Sequence, residues 1–191
     1  YKVIPTARDK DVEMVKLLNN VGQEFKIPLV MKSPGIPEKA ETMKKIRAKG
    51  IKVVSEIEFA SWFTNAQIVG ITGSNGKTIV KEWLNQLLGN DFKIVRSPKS
   101  YNSQIGVPLS VWQMNEDNTL GIFEAGVSQN EEMQHLEKII QPTIGIFTNV
   151  GKAHDEGFLN TKQKVREKLN LFIHCEKLIY RKDYLLITEC L

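Results

Sequence analysis

The sequence predicts an α/β protein in which a parallel sheet is flanked by helices. Two observations carry that prediction. Short apolar runs of strand length alternate with stretches of helical spacing, the order that gives parallel strands joined by right-handed crossovers. One of those runs, residues 68–71, breaks into a Gly/Ser/Asn turn that ends in Lys77-Thr78 and continues as a helical pattern. Strand, glycine-rich loop and helix in that order is the layout of a phosphate-binding loop.

Taken in order, residues 9–22 read as a helix with Val12, Val15, Leu17, Leu18 and Val21 apolar. Residues 27–31 form a short strand. Ser33-Pro34-Gly35-Ile36-Pro37 is a turn, and Pro37 suits the first turn of the helix that follows. That helix covers 38–49, carries Met43, Ile46 and Ala48, and is closed by Gly50. A strand over 51–54, a short helix over 56–63 and a strand over 65–71 lead into the glycine-rich loop. The loop helix shows Val80, Trp83, Leu84, Leu87 and Leu88 as its apolar positions. Residues 92–95 are a strand, 96–104 are polar and irregular, and 105–112 read as a helix despite Pro108. The rest alternates: a strand over 119–123 ending in Glu124, a helix over 131–140, a strand over 143–148 ending in Asn149, a helix over 162–172 and a strand over 177–180. A domain boundary is expected near residues 64–66.

The loop, Gly70-Ile71-Thr72-Gly73-Ser74-Asn75-Gly76-Lys77-Thr78, has a chemical reading at each position. Glycines let backbone N–H groups turn towards phosphate oxygens, and the helix N-terminus adds partial positive charge. Lys77 supplies a mobile cation for the outer phosphates, and the Thr78 hydroxyl is a magnesium ligand in loops of this kind. The generic G-x-x-x-x-G-K-[ST] pattern is not met strictly, because Ile71 stands at its first glycine. Thr78, Glu124 and His154 each fall just beyond the carboxyl end of a predicted strand, where open parallel sheets bind ligands. A hydroxyl, a carboxylate and an imidazole converging there would share one or two Mg²⁺ ions, although His is not a favoured magnesium ligand. Spacing alone leaves Glu124 as a helix cap and His154 as a loop residue equally open.

Composition narrows the classes. The chain has 191 residues and a net charge of +4. Residues 1–64 hold 12 Lys/Arg against 8 Asp/Glu and the remainder 14 of each, so the basic excess lies in the first third. It includes Lys44, Lys45, Arg47, Lys49 and Lys52, a solvated helix face or an attractor for a nucleotide-like anion. No aromatic stacking run or nucleic-acid motif accompanies it. No apolar run approaches the roughly 20 residues of a membrane span. The chain opens at Tyr1-Lys2-Val3, without initiator Met or the layout of a signal peptide, as a fragment would. Cys175 and Cys190 have no metal spacing and read as free thiols of a reducing cytoplasm.

Several motifs resemble one family. The loop is similar to the ATP loop of the Mur ligases and their folylpolyglutamate synthase relatives. From about residue 66 onward, Tyr101-Asn102-Ser103-Gln104-Ile105-Gly106-Val107-Pro108-Leu109, Glu124-Ala125-Gly126, Thr148-Asn149, His154-Asp155-Glu156-Gly157-Phe158 and Lys168-Leu169-Asn170-Leu171-Phe172 follow in the order of the central domain of the D-alanyl-D-alanine-adding branch, most like forms fused to an alanine racemase. Residues 1–65 resemble another branch. Lys32-Ser33-Pro34-Gly35-Ile36-Pro37 and Val54-Ser55-Glu56-Ile57-Glu58-Phe59-Ala60 are similar to the end of the UDP-substrate domain of the D-glutamate-adding Mur ligase.

The resemblance implies a phosphate-loop central domain over 66–191, incomplete at its C-terminus, preceded by a partial Rossmann-like domain over 1–65. It implies an ATP-dependent amide ligase of peptidoglycan precursor synthesis in the cytoplasm. Such an enzyme adds D-alanyl-D-alanine, or alternatively D-glutamate, to a UDP-N-acetylmuramoyl compound through an acyl phosphate; a nucleotide-binding fragment without ligase activity is the other alternative. ATP would lie on Gly73, Ser74, Asn75, Gly76, Lys77 and Thr78, with Lys77 on the outer phosphates. Thr78 and Glu124 would bind one Mg²⁺ and His154 a second. Lys168 falls on the lysine that the family carbamylates into a metal-facing anion. Asn102 matches a substrate-side asparagine, and Gly35 lies in the turn by the UDP end. Ser103 departs from the second asparagine of many relatives.

Helical spacing alone reads Lys168 differently. Val165, Leu169 and Phe172 mark the core face and Lys168 its edge, where a snorkelling lysine is expected. On the same spacing Lys164 and Arg166 point further away, and Lys162 lies at the other edge.

Overall fold

The computed structural model describes residues 29–32, 39–55, 58–59, 64–151 and 155–191. The expected helix over 9–22, the Ser33–Pro37 turn and most of the expected helix over 56–63 lie outside them. The chain divides into two units, Tyr1–Phe59 and Ala60–Leu191.

In the first unit, β1 (Leu29–Lys32) pairs in parallel with β2 (Lys52–Ser55), Leu29 opposite Lys52. Between them in sequence runs α1 (Glu41–Ala48), which buries Met43 and Ile46. Glu41 in its first turn and Lys45 and Arg47 in its last complement the helix dipole. Gly50, at φ 66°, ends it in the left-handed conformation, and its N–H donates to the Arg47 carbonyl. Lys44, Lys45, Arg47, Lys49 and Lys52 are exposed.

The second unit is built on a five-stranded parallel sheet of order β4-β5-β3-β6-β7. The strands are β3 (Gln67–Thr72), β4 (Ile94–Arg96), β5 (Leu120–Glu124), β6 (Ile144–Phe147) and β7 (Lys177–Tyr180). Helix α2 (Lys77–Leu88) crosses from β3 to β4 on one face. There Val80, Leu84 and Leu88 pack on Val69, Ile71, Leu120 and Ile122. The other face carries α3 (Gly106–Val111), α4 (Met133–Ile140), α5 (Thr161–Leu169) and a 3₁₀ turn (Asn170–Phe172). Gly70 and Gly145 face that side, where an added Cβ would meet Pro142 and Phe172 respectively. A 3₁₀ turn at Asp155–Gly157 and a short α6 (Leu185–Thr188) were not expected from the sequence.

One expectation is corrected. Trp83 and Leu87, read as part of the apolar face of α2, are 57% and 74% exposed. The core-facing stripe, itself partly buried, runs through residues 80, 84 and 88, and a residue one step earlier is turned by about 100°. The fully buried position on this helix is Lys81. Pro108 sits in the first turn of α3, where its missing N–H would have had no intrahelical partner. Ser103 prepares that start, its hydroxyl accepting from the Gly106 N–H at 3.1 Å.

The strand order places the site. The connection leaving β3 passes to one face and that leaving its neighbour β5 to the other, which opens a crevice at the carboxyl ends of the two strands. The Ile71–Glu124 pairing is the last β3–β5 rung.

Ile122, with no exposed surface, should on mutation to Ala cost about 2–5 kcal/mol. Leu87→Ala, on the exposed side of α2, should stay within about 0.5 kcal/mol. Urea unfolding followed by circular dichroism tests both, and similar losses would mean that the buried stripe is misassigned.

Candidate functional site

Ile71 stands at the first glycine of the generic loop pattern because the chain is still strand there. It is wholly buried, and β3 continues to Thr72. The turn begins at Gly73, where φ is 147° and a Cβ would lie 2.0 Å from Thr148 Oγ1. No side chain fits that position. Gly76, at φ 80°, opens α2 in the left-handed conformation. The first N–H groups of that helix have no intrahelical acceptor. They face a cleft of about 350 Å³ lined by Ser74, Asn75, Gly76, Lys77, Thr78, Ile79 and Asn102.

Lys77 folds back over the loop, its ammonium donating to the Gly73 carbonyl at 3.0 Å. Burial lowers its pKa, and the Glu124 carboxylate acts in the opposite direction. At the next residue, Thr78 Oγ1 donates to Glu124 Oε2 at 3.1 Å. Lys81 Nζ lies 2.9 Å from Glu124 Oε1, and neither side chain has exposed surface. This contact is an ion pair without hydrogen-bond alignment, so Oε1 is a buried carboxylate oxygen with no hydrogen-bond donor. Lys81 also donates to the Ser97 carbonyl at 2.7 Å and to that of Lys99. The Ser97 hydroxyl in turn accepts from the Glu124 N–H at 3.1 Å.

Thr78 and Glu124 therefore present hard oxygen donors side by side, one carboxylate oxygen lacking a donor. That set suits Mg²⁺, which uses one or two protein ligands and completes its shell with water and phosphate. Among the described residues no group of three His, Cys, Asp or Glu forms a larger metal cage.

A second wall comes from the segment after β6. Ser74 and Asn75 donate their backbone N–H groups to the main-chain and side-chain oxygens of Asn149, at 3.0 and 2.9 Å. Thr148 Oγ1 donates to the Asn75 carbonyl at 2.6 Å. The Ser74 hydroxyl accepts from the Gly151 N–H at 2.8 Å and donates to the Gly151 carbonyl at 3.1 Å. That carbonyl also accepts from Lys164, which is 1% exposed. The expectation that Lys164 points away is corrected, whereas Arg166 and Lys162 are exposed. Residues 164, 165, 167 and 168 of α5 are all buried, a wider arc than the apolar residues alone mark, because Lys164, Glu167 and Lys168 find partners in Gly151, Met133 and Gly73.

Lys168 is 3% exposed, so it does not snorkel to solvent, and its ammonium reaches towards the Gly73 carbonyl at 3.5 Å. Burial, with the positive charges of Lys77 and Lys164, pushes its pKa down from 10.5 to about 8, against the opposing pull of Glu167. Asn102 lines the cleft, and its carbonyl accepts from the Gly126 N–H at 2.7 Å. His154 and Gly35 lie outside the described residues. Lys77, Thr78, Glu124, Lys168 and the loop thus gather at one end of the sheet. Sequence reasoning missed Lys81, Asn149 and Lys164. The available signals were spacing: Lys81 follows Thr78 by three residues and Lys164 precedes Lys168 by four, each on its neighbour's helix face.

Known proteins resemble the chain in sequence and in fold. The family model of the Mur ligase middle domain matches residues 71–187. The UDP-N-acetylmuramoyl-tripeptide–D-alanyl-D-alanine ligase of Treponema pallidum is 41% identical over 100 residues, 52% of this chain and 22% of that protein. The UDP-N-acetylmuramoylalanine–D-glutamate ligase of Christiangramia forsetii is 40% identical over 134 residues, 68% of this chain and 27% of that protein. The chain thus spans about a quarter of the length of these curated relatives. The crystal structure of a MurF ligase from Thermotoga maritima in complex with ADP superposes with a TM-score of 0.64 at 22% identity, over 92% of this chain and 41% of that one, and shares its fold. No helix among the described residues is long and apolar enough to cross a membrane.

Two outcomes follow from the buried charges. Glu124→Ala removes the buried counter-charge of Lys81 and leaves only the part-exposed Glu82 carboxylate, 3.2 Å away, so it should cost up to about 3–5 kcal/mol. The pair Lys81→Met with Glu124→Gln should cost less than Glu124→Ala alone, and urea unfolding decides the order. For Lys168 the folded pKa lies below the unfolded one. Both states are protonated below about pH 8, and above it the unfolded state holds the proton that the folded state has lost. Its contribution to stability should therefore rise with pH from about 8 towards 10.5, and Lys168→Met should lack that rise. A wild-type gain no larger than the variant's across that interval would contradict the assignment.

Proposed function

The chain belongs to the Mur ligase family, and on that footing we propose that residues 66–191 are the ATP-binding central domain of a peptidoglycan-precursor ligase and residues 1–65 part of its UDP-substrate domain. The observation that carries this reading is the glycine-rich loop at the β3–β5 crevice with Thr78 and Glu124 side by side beside it. The reaction is the ATP-dependent joining of D-alanyl-D-alanine to a UDP-N-acetylmuramoyl peptide in the cytoplasm. The substrate carboxylate oxygen attacks the terminal phosphorus and ADP leaves. The amine nitrogen then attacks the acyl carbon, loses a proton and expels phosphate.

The chain's own residues do the positioning. The helix N-terminus and loop N–H groups orient the phosphates, and Lys77 swings from the Gly73 carbonyl to the outer ones. Thr78 and Glu124 would hold one Mg²⁺ and His154 a second, and the chemistry such ions would supply is neutralisation of charge on the transferring phosphoryl group. Lys168, with its pKa lowered to about 8, holds a minor fraction of neutral amine near neutral pH; that nitrogen would add CO₂ and lose a proton, leaving a carbamate on the side of the metal site. Asn102 contacts the substrate or its phosphate, and Gly35 the UDP end. Addition of D-glutamate to UDP-N-acetylmuramoylalanine is the second reading, favoured by the longer match to the relative of that name.

Calorimetric titration should show Mg-ATP binding that Lys77→Ala weakens by about 1.5–3 kcal/mol, the value of a charge-assisted contact. Equal affinities would overturn the loop assignment. Phosphate release that requires both a UDP-muramoyl peptide and D-alanyl-D-alanine supports the first reaction, and dependence on D-glutamate supports the second. Release without either substrate argues against a ligase.

A further inference from the structure

Lys164 belongs to neither the glycine-rich loop nor the magnesium set, yet it is among the most deeply buried side chains of the protein. A buried ammonium is costly unless its protons meet acceptors. One acceptor is the Gly151 carbonyl. Gly151 is not a passive partner. Its carbonyl also accepts from Ser74 Oγ at 3.1 Å, while its N–H donates to the same hydroxyl at 2.8 Å. Ser74 is thereby fixed as donor and acceptor at once, and its side chain has little freedom left. Space is tight as well, since a Cβ on Gly151 would lie 3.3 Å from Ser74 Cβ. The neighbouring N–H groups of Ser74 and Asn75 are held in the same direction by Asn149. The first half of the glycine-rich loop is thus moulded by residues 148–151: Ser74 and Asn75 line the cleft with their N–H groups already bonded to Asn149.

We propose that Lys164 is a positioning residue for nucleotide binding: it anchors the Gly151 carbonyl and, through the Ser74 hydroxyl, sets the shape of the phosphate-binding loop. The inference rests on the nucleotide-binding reading above and adds to it a residue that touches no nucleotide. A loop held in its binding shape does not spend binding free energy on ordering itself. Loss of the anchor should therefore appear in affinity, and not only in stability.

The test is calorimetric titration of the full 191-residue chain with Mg-ADP, alongside thermal melting of each protein. Lys164→Met should bind roughly tenfold more weakly, the scale of one charge-assisted hydrogen bond. Lys164→Arg, which keeps the donor, should recover much of the loss. Ser74→Ala should weaken binding comparably, and the double variant Lys164→Met/Ser74→Ala should be no weaker than the weaker single one, because both act through one link. An anchor that only supports the fold would lower the melting temperature and leave affinity within twofold of wild type, and that result overturns the proposal. Losses that multiply in the double variant also overturn it. If Lys164→Met does not fold, Ser74→Ala decides: wild-type affinity there removes the route from Gly151 to the loop. Failure of the wild-type chain to bind Mg-ADP would count against the nucleotide site itself, a separate outcome.

Discussion

A buried ammonium and a buried carboxylate, Lys81 and Glu124, stand 2.9 Å apart between α2 and the end of β5. Either charge alone would cost several kcal/mol in such a place. Together they fix three things. Glu124 is turned so that its other oxygen meets Thr78. The segment after β4 is drawn in through the Ser97 and Lys99 carbonyls. The first turns of α2 are pinned above the sheet, which is where the glycine-rich loop must deliver its N–H groups. Apolar packing on the same helix, through Val80, Leu84 and Leu88, sets its distance from the sheet, and the ion pair sets its register against β5.

Around this pair the protein concentrates positive charge. Lys77, Lys164 and Lys168 all lie close to the Gly73–Gly151 region, two of them sharing the Gly73 carbonyl. Glu167, the nearest acidic side chain on α5, is partly committed elsewhere, accepting from the Met133 N–H at 2.7 Å and from Asn170 at 3.3 Å. Mutual repulsion and burial are what lower the Lys168 pKa. Such an arrangement carries free energy that an incoming polyphosphate would release. For the nucleotide site proposed above, the lysines would prepare affinity before any phosphate arrives.

The loop itself is shaped from both sides. Gly73 is forced by the Thr148 side chain, and Gly76 by the left-handed turn into α2. Asn149 takes the N–H groups of Ser74 and Asn75, so the glycine-rich stretch is not a uniform cradle. Both halves line the cleft, but those two N–H groups are already committed. The same economy explains Ile71, which serves the core at a position where other loops of this type have already begun to turn.

The sequence by itself determined the signals that are local or periodic. Alternating strand and helix patterns specify a parallel α/β sheet, and the spacing of Gly73, Gly76, Lys77 and Thr78 specifies a glycine-rich turn from strand to helix, because each depends on neighbours a few residues away. Glu124 and Lys168 were legible from their motifs, although spacing left the orientation of Lys168 open. Tertiary structure alone decided which of several lysines are buried and what they meet. The partners of Lys81 lie 16 and 18 residues on, Ser74 meets Gly151 across 77 residues, and Lys168 meets Gly73 across 95. Those contacts exist because the strand order brings the ends of β3, β5 and β6 side by side, and a lysine's spacing on its own helix carries no record of that order.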